Sequence, residues 1–101
     1  MVTHKIKVSR SELSAFCRKH RIRRLAFFGS VLRDDFGPES DVDVLVEFDE
    51  NAKVGLIKFA GIEIELGELI GRKVDLNTEG FISKYFRDRV LSEAEDLYVA
   101  A

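Results

Sequence analysis

This chain of 101 residues has one cysteine, Cys17, and one proline, Pro38. A lone cysteine excludes an internal disulfide framework and a Cys-rich zinc site. There is no Ser/Gly linker, internal repeat or low-complexity segment. No apolar run approaches the roughly 20 residues that span a bilayer. The opening MVTHKIKVSR lacks the apolar stretch of a secretory signal. These absences predict a cytoplasmic protein. A large excess of one charge is missing too: 16 basic and 18 acidic residues leave a net −2, unlike the strongly basic body of a general nucleic-acid binder. A P-loop, a Gly-x-Gly-x-x-Gly fingerprint and a His-Glu-x-x-His helix are also absent.

What is present suits a folded domain. A hydrophobic fraction of 46% supports one modest core and 34% charged residues supply its surface, which argues against disorder. The length predicts a single domain over residues 1–101, too short to include a separate substrate-binding domain.

The pattern alternates helices and strands. Residues 5–8 read as a short extended arm. Ser9 and Glu12 have capping-box spacing, and Leu13, Phe16, Cys17 and His20 follow along one helical face. Cys17 reads as a small packed hydrophobe, and His20 as a helix-end cation or packing residue. Leu25 to Phe28 reads as a buried strand ending in a turn at Gly29. Asp41 to Phe48 is the clearest strand, with Val42, Val44 and Val46 on one face and Asp41, Asp43, Leu45 and Glu47 on the other. Leu56, Phe59, Ala60, Leu66, Leu69 and Ile70 predict a helix with Glu63, Glu65 and Glu68 more exposed, capped by Gly71. Lys73 to Leu76 predicts a strand. A last helix over about 82–91 would present Ile82, Phe86 and Val90, and residues 96–101 could add an edge strand. The order α-β-α-β-α-β-α predicts an α/β (α+β) fold: a small mixed sheet with flanking helices.

Chemistry concentrates between Phe28 and Asp43. Gly29-Ser30 ends a strand, and a helix can begin at Val31. Backbone N–H groups at such a turn favour an anion, Ser30 adds a hydroxyl, and Gly29 lets a phosphate come close. Asp41 and Asp43 are two apart on a strand and project to one face. Paired carboxylates repel unless a cation sits between them, and hard oxygens suit Mg²⁺. Asp75 lies between apolar neighbours on a later strand. If that strand pairs beside Asp41–Phe48, Asp75 can join the other two acids. Three carboxylates and a phosphate cradle would make a two-metal phosphoryl-transfer site. Each part alone is weak: with 8 Asp in the chain, chance supplies about 0.6 Asp-x-Asp per sequence of this composition. Most Gly-Ser pairs are plain turns, and Asp75 alone could pair with Arg72 or Lys73. The combination carries the signal.

Gly29-Ser30, ten residues, then Asp41-x-Asp43 resembles the minimal nucleotidyltransferases of the DNA polymerase β superfamily. The flanking Leu25-Ala26-Phe27-Phe28 and Val44-Leu45-Val46-Glu47-Phe48 fit, as does Gly71-Arg72-Lys73-Val74-Asp75-Leu76, where that family places a third carboxylate. The resemblance spans about residues 13–98. It implies a nucleotidyltransferase fold, with Asp41, Asp43 and Asp75 as catalytic residues that hold two Mg²⁺ ions, and Gly29 and Ser30 holding a triphosphate. Arg33 matches the pattern as well. It could bind phosphate, or shape the loop through an ion pair with Asp41 or a nearby acid. Ser40 reads as fixing the turn before the strand.

The activity expected is Mg²⁺-dependent transfer of a nucleoside monophosphate, AMP from ATP, to a hydroxyl with release of pyrophosphate. So short a chain needs another molecule to present that hydroxyl. The resemblance implies a HEPN-domain ribonuclease toxin, silenced by AMP attached to a tyrosine. The alternatives are an antitoxin that acts by binding alone, or transfer to a small molecule or an RNA end. The basic run Arg18, Lys19, His20, Arg21, Arg23 and Arg24 reads as a helix end and solvated loop, with docking of RNA or an acidic partner as the sharper alternative. Lys84, Arg87 and Arg89 on the last helix pose the same choice.

Overall fold

The computed structural model describes residues 2–3, 6–29, 41–82 and 84–100, with no account of the side chains of residues 2, 3, 6, 7 and 81. Ser30, Val31, Arg33 and Ser40, and with them the expectations for Ser30 and Arg33 and the helix start at Val31, lie outside the described residues.

Two short strands, β1 (Val2–Thr3) and β2 (Ile6–Lys7), pair antiparallel. Helix α1 (Arg10–Lys19) follows. Ser9 caps it, its hydroxyl accepting from the Glu12 N–H at 3.3 Å, and Arg18 and Lys19 in the last turn complement the helix dipole. Strand β3 (Ile22–Phe28) begins earlier than its apolar run predicts, because Arg23 and Arg24 are carried in the strand by acids beside them. Strand β4 (Val42–Phe48) and helix α2 (Leu56–Ile70) come next. Gly71 ends α2 at φ 70°, a left-handed cap that glycine adopts without penalty. Strand β5 (Val74–Asn77), a 3-10 turn (Glu79–Phe81), helix α3 (Lys84–Glu93) and strand β6 (Glu95–Val99) complete the described chain.

The sheet order is β5-β4-β3-β6. β3 runs antiparallel to β4 and β6, and β4 parallel to β5. Compared with the expected order, the chain adds the β1–β2 pair and confirms the C-terminal edge strand. Leu25, Phe27, Val42, Val44, Val46, Val74 and Leu76 fill one face of the sheet. They pack with Leu13, Phe16 and Cys17 of α1 and Ile62, Leu66 and Ile70 of α2. Burying each such side chain contributes about 1.5–3 kcal/mol, so Phe27→Ala at the sheet centre would cost about 3–5 kcal/mol. Ala26 and Leu45, on the other face, are buried as well, and the 3-10 turn packs against β4.

Three expectations need correction. Helix α2 keeps Phe59, Leu66, Leu69 and Ile70 on its core side as predicted, but Leu56 and Ala60 face outward and Ile62 is buried in addition. Glu63 and Glu65 are half-buried and each has a partner, because the two flanks of the helix meet different elements, β5 at Glu63 and α1 at Glu65. On α3, Phe86 is exposed and no residue is fully buried, so its apolar positions do not form the closed face predicted. Among the described residues no helix is long and apolar enough to cross a membrane.

Candidate active site

The site lies where β3 ends, β4 begins and β5 runs beside it. Asp43 pairs across the antiparallel ladder with Phe28 and across the parallel ladder with Asp75. Neighbouring residues in register share a face, so the Asp43 and Asp75 carboxylates lie side by side on the face away from α1 and α2. Asp41 stands just before β4 and shares this face by the two-residue period. The Val42 N–H donates to the Lys73 carbonyl at 2.9 Å, which ties the entrance of β4 to that of β5. Asp43 is half-buried, and Asp41 and Asp75 are exposed.

Gly29 follows β3 at φ 70°. A Cβ placed there would collide with the Asp43 carboxylate and lie 3.2 Å from its Cγ. The glycine therefore makes room for the acid as well as turning the chain. Gly29, Asp41, Asp43 and Asp75 are thus gathered at one end of the sheet.

The basic run is mostly consumed by internal acids. Lys19 reaches Glu65 at 3.1 Å and His20 Nε2 reaches the same carboxylate at 3.1 Å. Burial pushes the Glu65 carboxyl up, but the hydrogen bonds with His20 and Lys19 outweigh it and hold the group below its ordinary value. Arg23 and Arg24 both bind Glu47, at 3.0 and 3.2 Å, and Arg24 binds Asp96 at 2.6 Å. The Asp96 hydrogen bond is the main cause that raises the Arg24 guanidinium above its usual range, against the opposing effect of burial. Arg18 and Arg21 line a groove of about 520 Å³ with Asp49, Glu50 and Tyr98, at the opposite end of the strands from Asp43. On α3, Arg87 donates to the Glu79 and Ile82 carbonyls, and Arg89 pairs with Glu93. Cys17 is buried and its thiol is pushed up to about 12 by desolvation, which makes it inert at neutral pH.

The family described as "Nucleotidyltransferase domain" matches residues 10–97. The chain belongs to this family. The nucleotidyltransferase is 38% identical over 79 residues to a protein of Methanocaldococcus jannaschii named "Putative protein adenylyltransferase MJ0435", covering 78% of this chain and 83% of the relative. It is 36% identical over 72 residues to "Protein adenylyltransferase MntA" of Thermococcus cleftensis, covering 71% of each. Among solved structures it resembles a "putative minimal nucleotidyltransferase" at TM-score 0.68 and 34% identity, over 84% of this chain and 85% of the other. A chain of a toxin–antitoxin structure with AMP-PNP superposes at TM-score 0.71 and 17% identity, over 92% of this chain and 75% of the other. A chain of a complex between a tri-AMPylated Shewanella oneidensis HEPN toxin and an MNT antitoxin does so at 0.63 and 17%, over 90% and 70%. At that identity the last two establish the fold alone.

The donor set of the nucleotidyltransferase fits magnesium in its chemistry, since Asp41, Asp43 and Asp75 offer hard oxygens on one face. Among the described residues no three His, Cys, Asp or Glu side chains converge closely enough to hold a metal ion in common. The carboxylates are arranged as a register pair with a third acid at the strand entrance. One residue of the site region was not singled out from the sequence: Glu63 of α2 accepts from the Leu76 N–H at 2.7 Å, next to Asp75. The only sequence signal for it was a charged residue at the edge of the helix face that meets β5.

Proposed function

We propose that this nucleotidyltransferase moves AMP from ATP to a hydroxyl of a HEPN-domain partner protein and releases pyrophosphate. The observation that carries the reading is Asp43 abreast of Asp75 with Gly29 bare against it. Relatives named protein adenylyltransferase support AMP as the group moved. The tri-AMPylated HEPN toxin in complex with an MNT antitoxin supports the partner.

In this reading the acceptor oxygen attacks the α-phosphorus, the bond from that phosphorus to the α,β-bridging oxygen breaks, and pyrophosphate leaves. Asp75, exposed at the sheet end, takes the proton of the attacking hydroxyl. Gly29 lets the triphosphate approach the backbone, with Ser30 and Arg33 as further phosphate contacts. Asp41, Asp43 and Asp75 would hold Mg²⁺ by one or two carboxylates per ion rather than all three in common, and the ions would supply positive charge against the phosphates. Residues 1–101 act as one catalytic domain in the cytoplasm, where ATP is available, and the partner supplies the hydroxyl.

The test is co-expression with a HEPN-domain partner and intact-mass measurement of that partner. The native chain adds AMP to it and Asp43→Ala does not. An unmodified partner that is still neutralised by Asp43→Ala would mean inhibition by binding alone. Label on RNA ends or a small molecule instead would move the acceptor to that class.

A further inference from the structure

Strand β5 has four residues and lies at the edge of the sheet. Its inner side pairs with β4. In a parallel ladder alternate amides face outward, and the Leu76 N–H instead donates to the Glu63 carboxylate of α2 at 2.7 Å. One helical turn on, Gly67 faces the approach to the same strand. A Cβ on Gly67 would lie 2.9 Å from the Arg72 carbonyl oxygen and 4.0 Å from Val74 Cγ2. The Arg72 N–H donates to the Gly67 carbonyl at 3.1 Å. Glu63 and Gly67 are four residues apart and so share one face of α2. That face holds β5 at Leu76 and the chain just before it at Arg72, with Asp75 between the two. Val74 and Leu76, its neighbours, are buried, while Asp75 itself is turned to the site face beside Asp43.

We propose that Glu63 is a positioning residue of the transferase: by holding the Leu76 N–H it fixes β5 and sets Asp75 beside Asp43. The inference rests on the reading that Asp75 belongs to the catalytic site. A short edge strand is the kind of segment that opens locally when few bonds hold it. A shift of about 1 Å in a reacting group can lower a rate by about a hundredfold. Glu63 acts only as a hydrogen-bond acceptor here, so a glutamine carbonyl oxygen can replace it.

The experiment compares native, Glu63→Gln and Glu63→Leu chains in two measurements. One is hydrogen exchange at the Leu76 amide. The other is the kinetics of label transfer from ATP, with Mg²⁺, to a HEPN-domain partner. The native Leu76 amide should exchange as slowly as amides inside β4. Glu63→Leu should speed that exchange by about tenfold or more and lower kcat by about ten- to a hundredfold, with KM for ATP within about twofold. Glu63→Gln should restore both to within about threefold of native. Fast exchange in the native chain overturns the inference. So does unchanged kcat in Glu63→Leu, or Glu63→Gln as impaired as Glu63→Leu. Should Glu63→Leu not fold, exchange and kcat in the native and Glu63→Gln chains decide. A native chain with no transfer, or a fully active Asp75→Asn chain, strikes the catalytic reading itself. Native transfer with no loss in Glu63→Leu strikes the positioning role alone.

Discussion

Asp43 on β4 sits directly abreast of Asp75 on β5, two carboxylates in register on neighbouring parallel strands. Like charges so placed destabilise a sheet, and a bound divalent cation reverses that. Mg²⁺ at about ten times its Kd should stabilise the chain by about 1.4 kcal/mol, a rise of several degrees in Tm. Asp43→Asn and Asp75→Asn should each abolish most of the rise. A native Tm indifferent to Mg²⁺ would count against the carboxylates as its ligands.

A side chain at Gly29 would be strained. At φ 70°, with the Asp43 carboxylate where a Cβ would go, Gly29→Ala combines a left-handed backbone cost of about 1–2 kcal/mol with displacement of the acid. Thermal unfolding should report the first. Transfer reduced by about a hundredfold should report the second. An alanine variant with native Tm and full activity would show that the turn is not constrained as described.

Glu65 joins α1 to α2 through Lys19 and His20. Its carboxyl is depressed in the folded chain, so its unfolded value is the higher one. The stabilisation is therefore fully present above the ordinary value of 4.5 and is lost as pH falls through the lower folded value. The pairs are partly solvated, which keeps the contribution below about 1 kcal/mol. Denaturant midpoints measured against pH should show Glu65→Gln less stable than native at pH 7, with the difference vanishing in acid.

Cys17, fully buried in the core with its thiol pushed up to about 12, should resist alkylation by iodoacetamide at pH 8 while the chain is folded. It should react once denaturant opens the core. Rapid labelling of the native chain would place the thiol elsewhere.

Short-range chemistry was readable in the sequence. The Ser9 cap, the Gly71 cap and the alternation of Val42, Val44 and Val46 depend on neighbours within a few positions, and the structure repeats them. Features set by distant partners were less readable. β3 extends through Arg23 and Arg24 because Glu47 and Asp96 lie beside them. The outward turn of Leu56 follows from which side of α2 meets α1 and β5. Whether Asp75 could stand beside Asp43 depended on β5 pairing with β4, a tertiary fact that the local pattern left conditional. In sequence Glu63 looks like a surface charge, because its partner is a backbone N–H on another element. Ser30 and Arg33 lie outside the described residues, so their placement adds nothing to either side.

The most direct test of the transferase reading is incubation of the native chain and an Asp41→Ala/Asp43→Ala chain with ATP labelled at the α-phosphate, Mg²⁺ and a HEPN-domain partner. The native chain should place label on the partner and release pyrophosphate in equal amount, and the double variant should do neither. No label on any acceptor from the native chain, or undiminished transfer by the double variant, would contradict the account.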